Sequence, residues 1–131
     1  MTSAVIPEAH HDLVDMPHVG VLTTLGSDGR PQSTAVWFVR DGAEIRTSLL
    51  TTRQKYKNMA AHPKATLFVL DPANPFRTIE IRGDVSFEID PGGALFERIV
   101  RHYGQDPDTF PAPKDGRVVL TLHPKRVVVN G

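Results

Sequence analysis

The chain has 131 residues, and 15 Lys or Arg balance 15 Asp or Glu for a formal net charge of zero. That length suits one domain, residues 1–131, with its own core, and the charge balance removes any global electrostatic case for a nucleic-acid or anionic-membrane partner. The absence of cysteine excludes disulfides, thiol redox chemistry and Cys-based zinc sites, and no apolar run approaches the roughly 20 residues that span a bilayer.

The N-terminus lacks the basic and apolar regions of a signal peptide, so a cytoplasmic location is expected. Pro7 to Met16 reads as a short helix within a leading segment 1–17, with Pro17 ending it. Val19 to Thr24 reads as a first strand, and Asp28-Gly29 as a hairpin turn into a second strand from Gln32 to Val39. Asp41-Gly42 turns into a third, Glu44 to Leu49. Tyr56, Met59 and Ala60 form an i, i+3, i+4 stripe that packs the next helix on the sheet, and His62-Pro63 stops it. Ala65 to Leu70 is a buried strand, Asp71 to Pro75 a proline-rich loop, and Arg77 to Arg82 a strand. Gly83-Asp84 reads as a bulge or bend before Val85 to Glu88. A helix from Pro91 to Tyr103 turns Leu95, Ile99 and Val100 inward, and Gln105 to Asp115 is a loop. Val118 to Leu122 and Arg126 to Val129 flank His123-Pro124 as the last strands. The pattern predicts a mainly β (α+β) domain: a six- to seven-stranded antiparallel barrel spanning 18–131 with short flanking helices.

Most candidate chemistries find no support. There is no Gly-x-Ser-x-Gly elbow, and Ser27, Ser33, Ser48 and Ser86 read as turn or strand residues. His10 and His11 point about 100° apart on a helix, which is poor metal geometry, so solvated side chains are expected and no metal site. No Walker or dinucleotide glycine fingerprint and no catalytic carboxylate pair is discernible.

The exception is Thr47 to Ala60, where a strand end runs into a basic helix start. It offers hydroxyls at Thr47, Ser48, Thr51 and Thr52 and cations at Arg53, Lys55 and Lys57. The first turn of a helix has unpaired N–H groups and a dipole that favours negative charge, so a sequence chosen for stability alone would place Asp or Glu there. Cations without an acid point to an external anion such as a phosphate; a solvated basic helix face is the plainer alternative. Beside it, Gln32 to Phe38 alternates small polar residues with Val36 and Trp37, which suits a flat ring laid along the strand or an edge strand of mixed exposure.

Together these segments resemble the split β-barrel flavin-binding family of pyridoxamine 5′-phosphate oxidase. The residues that carry the match are Val19 to Thr24, Asp28-Gly-Arg-Pro-Gln32, Val36-Trp37, Thr47-Ser48, Arg53-x-Lys55-x-Lys57-Asn-Met59, His62-Pro63, the Gly83 strand and Val119 to Val127. The chain is similar to the short B-type branch that uses the deazaflavin coenzyme F420. The Arg-Leu-His-Asp-Arg tail with which pyridoxamine phosphate oxidases hold their substrate is missing.

The resemblance implies an F420-dependent oxidoreductase that passes a hydride to an electron-poor small molecule. It implies that Arg53 and Lys55 hold the coenzyme phosphate, with Thr47, Ser48, Thr52 and Gln54 around them. Gln32, Ala35, Val36 and Trp37 would border the ring. Phe76 and Arg77, in the loop from Asn74, would come from the second subunit of a homodimer. Substrate contacts would come from Asp71 to Arg77 and Gln105 to Asp115. No residue stands out as a proton donor. An FMN-dependent oxidoreductase of the same fold and a non-catalytic deazaflavin-binding protein remain open alternatives.

Overall fold

The computed structural model describes residues 4–131; the first three positions of the leading segment lie outside them. Seven strands form one antiparallel sheet: β1 (Gly20–Leu25), β2 (Pro31–Val36), β3 (Val39–Asp41), β4 (Glu44–Leu50), β5 (Lys64–Asp71), β6 (Asn74–Ile89) and β7 (Arg117–Asn130). Their order across the sheet is β2-β1-β5-β6-β7-β4-β3. The two edge strands, β2 and β3, are consecutive in the chain and joined only by Trp37 and Phe38. Opposite edges tied by so short a link require the sheet to roll up, so it closes into a barrel split between β2 and β3. That is also why the expected strand Gln32 to Val39 breaks at Trp37: the chain leaves one edge and enters the other.

β6 and β7 carry the barrel. Each was expected as two strands and is instead one long bent strand. The bend is a bulge: Arg82 pairs with Arg126 but Gly83 with Pro124, which leaves Lys125 as the extra residue. A Cβ at Gly83 would collide with the His123 carbonyl oxygen, so the bend requires glycine. On β5, Ala65, Leu67 and Val69 point inward and join Phe38, Ile79, Ile81, Leu120 and Leu122 in the core. The expected loop Asp71 to Pro75 shrinks to a tight turn between β5 and β6.

Two helices sit on the barrel. In α2 (Gln54–Ala61), Met59 is fully buried and Tyr56 packs edge-on against Phe87 at 4.9 Å. Ala60, expected inward, is exposed, and Lys55 and Asn58 are buried in its place. The expected helix Pro91 to Tyr103 begins as a 3-10 turn, because Gly92 and Gly93 adopt positive φ. α3 (Ala94–His102) then starts with the Asp90 carboxylate accepting the Leu95 and Phe96 N–H groups at 3.0 and 3.1 Å. It turns Leu95, Phe96, Ile99 and Val100 inward.

The leading segment is a 3-10 turn, Glu8–His10, followed by α1 (His11–Asp15), rather than a continuous helix. His10 is buried, not solvated: its Nε2 bonds the Gly131 carbonyl at 3.1 Å, while His11 Nε2 bonds that of Ile6 at 3.0 Å. No helix among the described residues is long and apolar enough to cross a membrane.

Candidate functional site

The barrel split opens into a cavity of about 540 Å³. β2 and its link to β3 contribute Ala35, Val36 and Trp37; β4 contributes Thr47, Ser48, Leu49 and Leu50; the start of α2 contributes Arg53 and Lys55. α3 adds Phe96, Ile99 and Val100, the following loop adds Phe110 to Pro113, and Val19 and Arg117 complete the lining. The lining therefore holds three cations and no carboxylate.

The α2 start is built to present two of those cations, Arg53 and Lys55. Asn58, buried on the inner face of α2, donates to Thr24 Oγ1 at 3.1 Å and Gln32 Oε1 at 2.7 Å, and accepts from Gln54 Nε2 at 2.9 Å. This cluster fastens the helix to β1 and β2. Arg53, in extended conformation, immediately precedes α2. Lys55, only 9% exposed, donates to Thr34 Oγ1 at 3.3 Å and forms no ion pair among the described residues. Burial pushes its ammonium below the ordinary lysine range, and Arg53 nearby adds to the shift. No acid lies in the first turn of α2.

Trp37, Phe96 and Phe110 form the aromatic part of the lining. Trp37 stacks on Tyr103, with centroids 4.6 Å apart and planes within 7°, and meets Phe110 at 5.5 Å. Phe110 in turn meets Phe96 edge-on at 6.0 Å. Tyr103 Oη accepts from the Phe38 N–H at 3.1 Å and donates to the His18 carbonyl at 2.6 Å. The Thr47 hydroxyl donates to the Trp37 carbonyl. The link residue is thus pinned from both sides, and the indole plane is fixed before any ligand arrives.

Of the residues singled out in the sequence, Ala35, Val36, Trp37, Thr47, Ser48, Arg53 and Lys55 meet at this cavity. Gln32 and Gln54 stand behind it and hold Asn58, and Thr52 is exposed in the turn before α2. Phe76 is 84% exposed and lies apart from the cavity of its own chain. Arg77 forks onto both Asp12 oxygens at 2.7 and 2.8 Å and also bonds Asp71 and the Ala9 carbonyl, so within this chain it straps the leading segment to β6. Of the two expected substrate loops, Gln105 to Asp115 supplies Phe110 to Pro113 to the cavity, whereas no residue of Asp71 to Arg77 lines it. Phe96 and Arg117 were not anticipated, whereas Phe110 lies in the expected loop. Phe96 lies on the helix whose Leu95, Ile99 and Val100 were expected inward, and Arg117 falls between the expected loop and the expected strand.

A serine–histidine–acid row also exists that the sequence did not show. Ser86 Oγ lies 2.8 Å from His123 Nε2, and His123 Nδ1 lies 2.6 Å from Glu44 Oε2. It crosses β6, β7 and β4 with Ser86 exposed on the strand surface, and serves as a cross-strand brace. No cluster of three or more metal-ligating side chains occurs among the described residues.

Comparison with known proteins agrees with this architecture. Residues 6–130 match the family described as pyridoxamine 5′-phosphate oxidase. A solved F420 reductase is 37% identical with a TM-score of 0.87, over 94% of this chain and 98% of that one. A conserved hypothetical protein from Mycobacterium tuberculosis, 22% identical, superposes with a TM-score of 0.75 over 99% of this chain and 88% of its own. A putative pyridoxamine 5′-phosphate oxidase from Listeria innocua is 23% identical, with a TM-score of 0.67 over 86% and 87% of the two chains. The last two share the fold. No curated protein matches the sequence.

Proposed function

We infer that this chain, which belongs to the pyridoxamine 5′-phosphate oxidase family, is an F420-dependent oxidoreductase that reduces an electron-poor small molecule. The observation that carries the reading is the cavity lined by Arg53, Lys55 and Arg117 without a carboxylate. The likeness to an F420 reductase over nearly the whole chain supports the choice of coenzyme.

The residues present fit a phosphorylated deazaflavin. Lys55 is a buried cation that lacks a counter-ion, and a phosphate supplies one. Arg53 and Lys55 bind that phosphate at the α2 start, where the unpaired N–H groups and the helix dipole add to the attraction. Ala35, Val36 and the pinned Trp37 border the ring and set its orientation. Phe96 and Phe110 keep water from the reacting face. When bound, the reduced deazaflavin supplies a hydride from C5 of its ring. No side chain is assigned as proton donor, and solvent serves.

The functional unit is a homodimer. What supports the pairing is an outward apolar face on β1 and β5: Val21 and Phe68 stand directly opposite in register, with Val19, Leu25 and Leu70 alongside, all at least 36% exposed. Val19 belongs both to this face and to the cavity lining, so a second copy seated there would meet the cavity mouth. Phe76, at the tip of the β5–β6 hairpin that Arg77 straps down, is the side chain free to reach the partner's site.

The test is a parallel fluorescence titration of cofactor-free protein with F420 and with FMN. Saturable binding of F420 with weak FMN is the expected result, and Arg53→Ala should weaken it by about 1.5–3 kcal/mol. Tight FMN without an F420 response would overturn the deazaflavin assignment. F420 binding without turnover on any electron-poor acceptor would leave a binding protein.

A further inference from the structure

We propose that Arg117 forms a carboxylate subsite at the aromatic end of the cavity, and that the acceptor is therefore an apolar molecule carrying a carboxylate. The subsite stands on its own geometry; that the acid is the hydride acceptor rests on the deazaflavin reading above.

Arg117 opens β7 and is held by three groups of the cavity wall. Its guanidinium carbon lies 3.9 Å over the Phe96 ring, its Nε donates to the Pro113 carbonyl at 2.7 Å, and Nη1 donates to Ser48 Oγ at 3.3 Å. A guanidinium has five N–H donors, and among the described residues Nη2 has no hydrogen-bond partner. The acid whose charge acts on it is Asp90, but its two oxygens already accept the Leu95 and Phe96 N–H groups, and it forms no ion pair with Arg117. Burial and the neighbouring Arg53 both push Arg117 below its ordinary range, which Asp90 offsets in part. A partly buried guanidinium, held in one orientation and without an ion-pair partner, gains from a ligand that supplies the charge.

Different elements hold the two cation groups, although Arg53 is near enough to act on Arg117 and both groups adjoin Ser48. Arg53 and Lys55 belong to the α2 start. Arg117 is clamped by α3 and the loop after it, beside Phe96, Phe110 and Trp37. A planar guanidinium already laid on a ring offers its free edge to a planar carboxylate, while those aromatic rings take up an apolar body. An unsaturated acid matches both demands, and a neutral amide of the same shape matches only one.

The single tryptophan gives a direct readout, since its indole N–H cross-peak reports cavity occupancy without the coenzyme. Coenzyme-free protein would be titrated with trans-cinnamate and with trans-cinnamamide, following the Trp37 peak. The wild type should prefer the acid at least tenfold. Arg117→Met should abolish that preference while leaving cinnamamide affinity within twofold, and Arg53→Ala should retain it. A preference that survives in Arg117→Met, or is absent from the wild type, overturns the subsite. F420 titration of the same variants keeps the two readings apart: Arg117→Met should bind the coenzyme within threefold of wild type. A tenfold or larger loss there, with the acid preference intact, would reassign Arg117 to the phosphate and overturn the proposal. Failure of F420 to bind wild type would remove the acceptor role while leaving the acid preference to stand or fall by itself.

Discussion

Two sets of arginines and lysines divide this molecule. Outside the cavity, most cations are matched with acids: Arg40 forks onto Asp15 at 2.7 and 2.8 Å, Arg98 onto Asp41 at 2.6 and 2.9 Å, and Arg77 onto Asp12. Each bidentate pair ties one element to another, the first and last joining the leading segment to β3 and β6. Inside the cavity, Lys55 is buried and Arg117 half-buried, and neither has an acid at ion-pairing distance among the described residues. The same chemical groups fasten elements in one region and stand without a counter-ion in the other. The difference lies in whether the fold supplies the counter-ion. This is why Arg77, which the family resemblance assigns to the coenzyme, reads from the geometry as a strap, and why Arg117, which no motif indicated, belongs to the site.

The sharpest way to break this comparison is Lys55→Met. If the cavity cations serve a ligand, the variant should lose about 1.5–3 kcal/mol of F420 affinity while its melting temperature stays level or rises, because an unpaired buried charge has been removed. A loss of stability with unchanged affinity would make Lys55 another structural cation. The pH dependence gives a second handle on the same residue. The Lys55 pKa is lowered in the folded protein, so between that value and the unfolded lysine value of about 10.4 the unfolded chain binds more protons, and stability must rise with pH. Denaturation of the ligand-free protein should show that rise up to about pH 10, above which Tyr103, whose pKa is raised by burial, acts in the opposite sense. The Lys55→Met protein should show a flatter profile over the same range.

Phe76→Ala sharpens the comparison from the side of the partner subunit. A ring that is 84% exposed in its own chain adds nothing to the core, so the variant should melt with the wild type. If the ring closes the partner's cavity, F420 affinity should fall by about 0.5–1.5 kcal/mol. Unchanged affinity in a protein that sediments as a dimer would remove Phe76 from the site.

Much of this was legible in the sequence. Turn chemistry at Asp28-Gly29 and Asp41-Gly42 announces an antiparallel meander, while the run Ala65 to Leu70, expected as a buried strand, buries only Ala65, Leu67 and Val69 and turns Phe68 and Leu70 outward. The acid-free start of α2 announces the cationic end of the cavity. What escaped was whatever depends on chain segments meeting from afar. Gln32 and Gln54 look like ligands in sequence because nothing local reveals that both bond Asn58. The break at Trp37 is invisible because the residues favour a strand, and only closure of the sheet forces the chain out of it. Phe96 is an inward helix position like Leu95, and its place under Arg117 depends on β7 arriving some 20 residues later. Ser86, His123 and Glu44 sit on three strands whose register alone brings them into line.

The smallest expected effect tests the fastening set on its own ground. Arg40→Ala breaks a forked pair whose side chains are 21% and 44% exposed, so solvent screening limits the loss to about 0.5–1 kcal/mol of stability. F420 affinity should not change, because neither partner lines the cavity. The acid limb supplies the sign. The Arg40 guanidinium, hydrogen-bonded to Asp15, holds that carboxyl below its usual range. Its contribution is therefore complete above the unfolded carboxylate value near 3.9 and disappears as pH falls through the lower folded value. Wild type and Arg40→Ala should accordingly differ at neutral pH and converge in acid. Curves that stay parallel down to pH 2 would mean that the Asp15 pair contributes nothing and that the variant acts through lost packing of the arginine stem. In that case the pairing seen outside the cavity would be a matter of geometry rather than of energy.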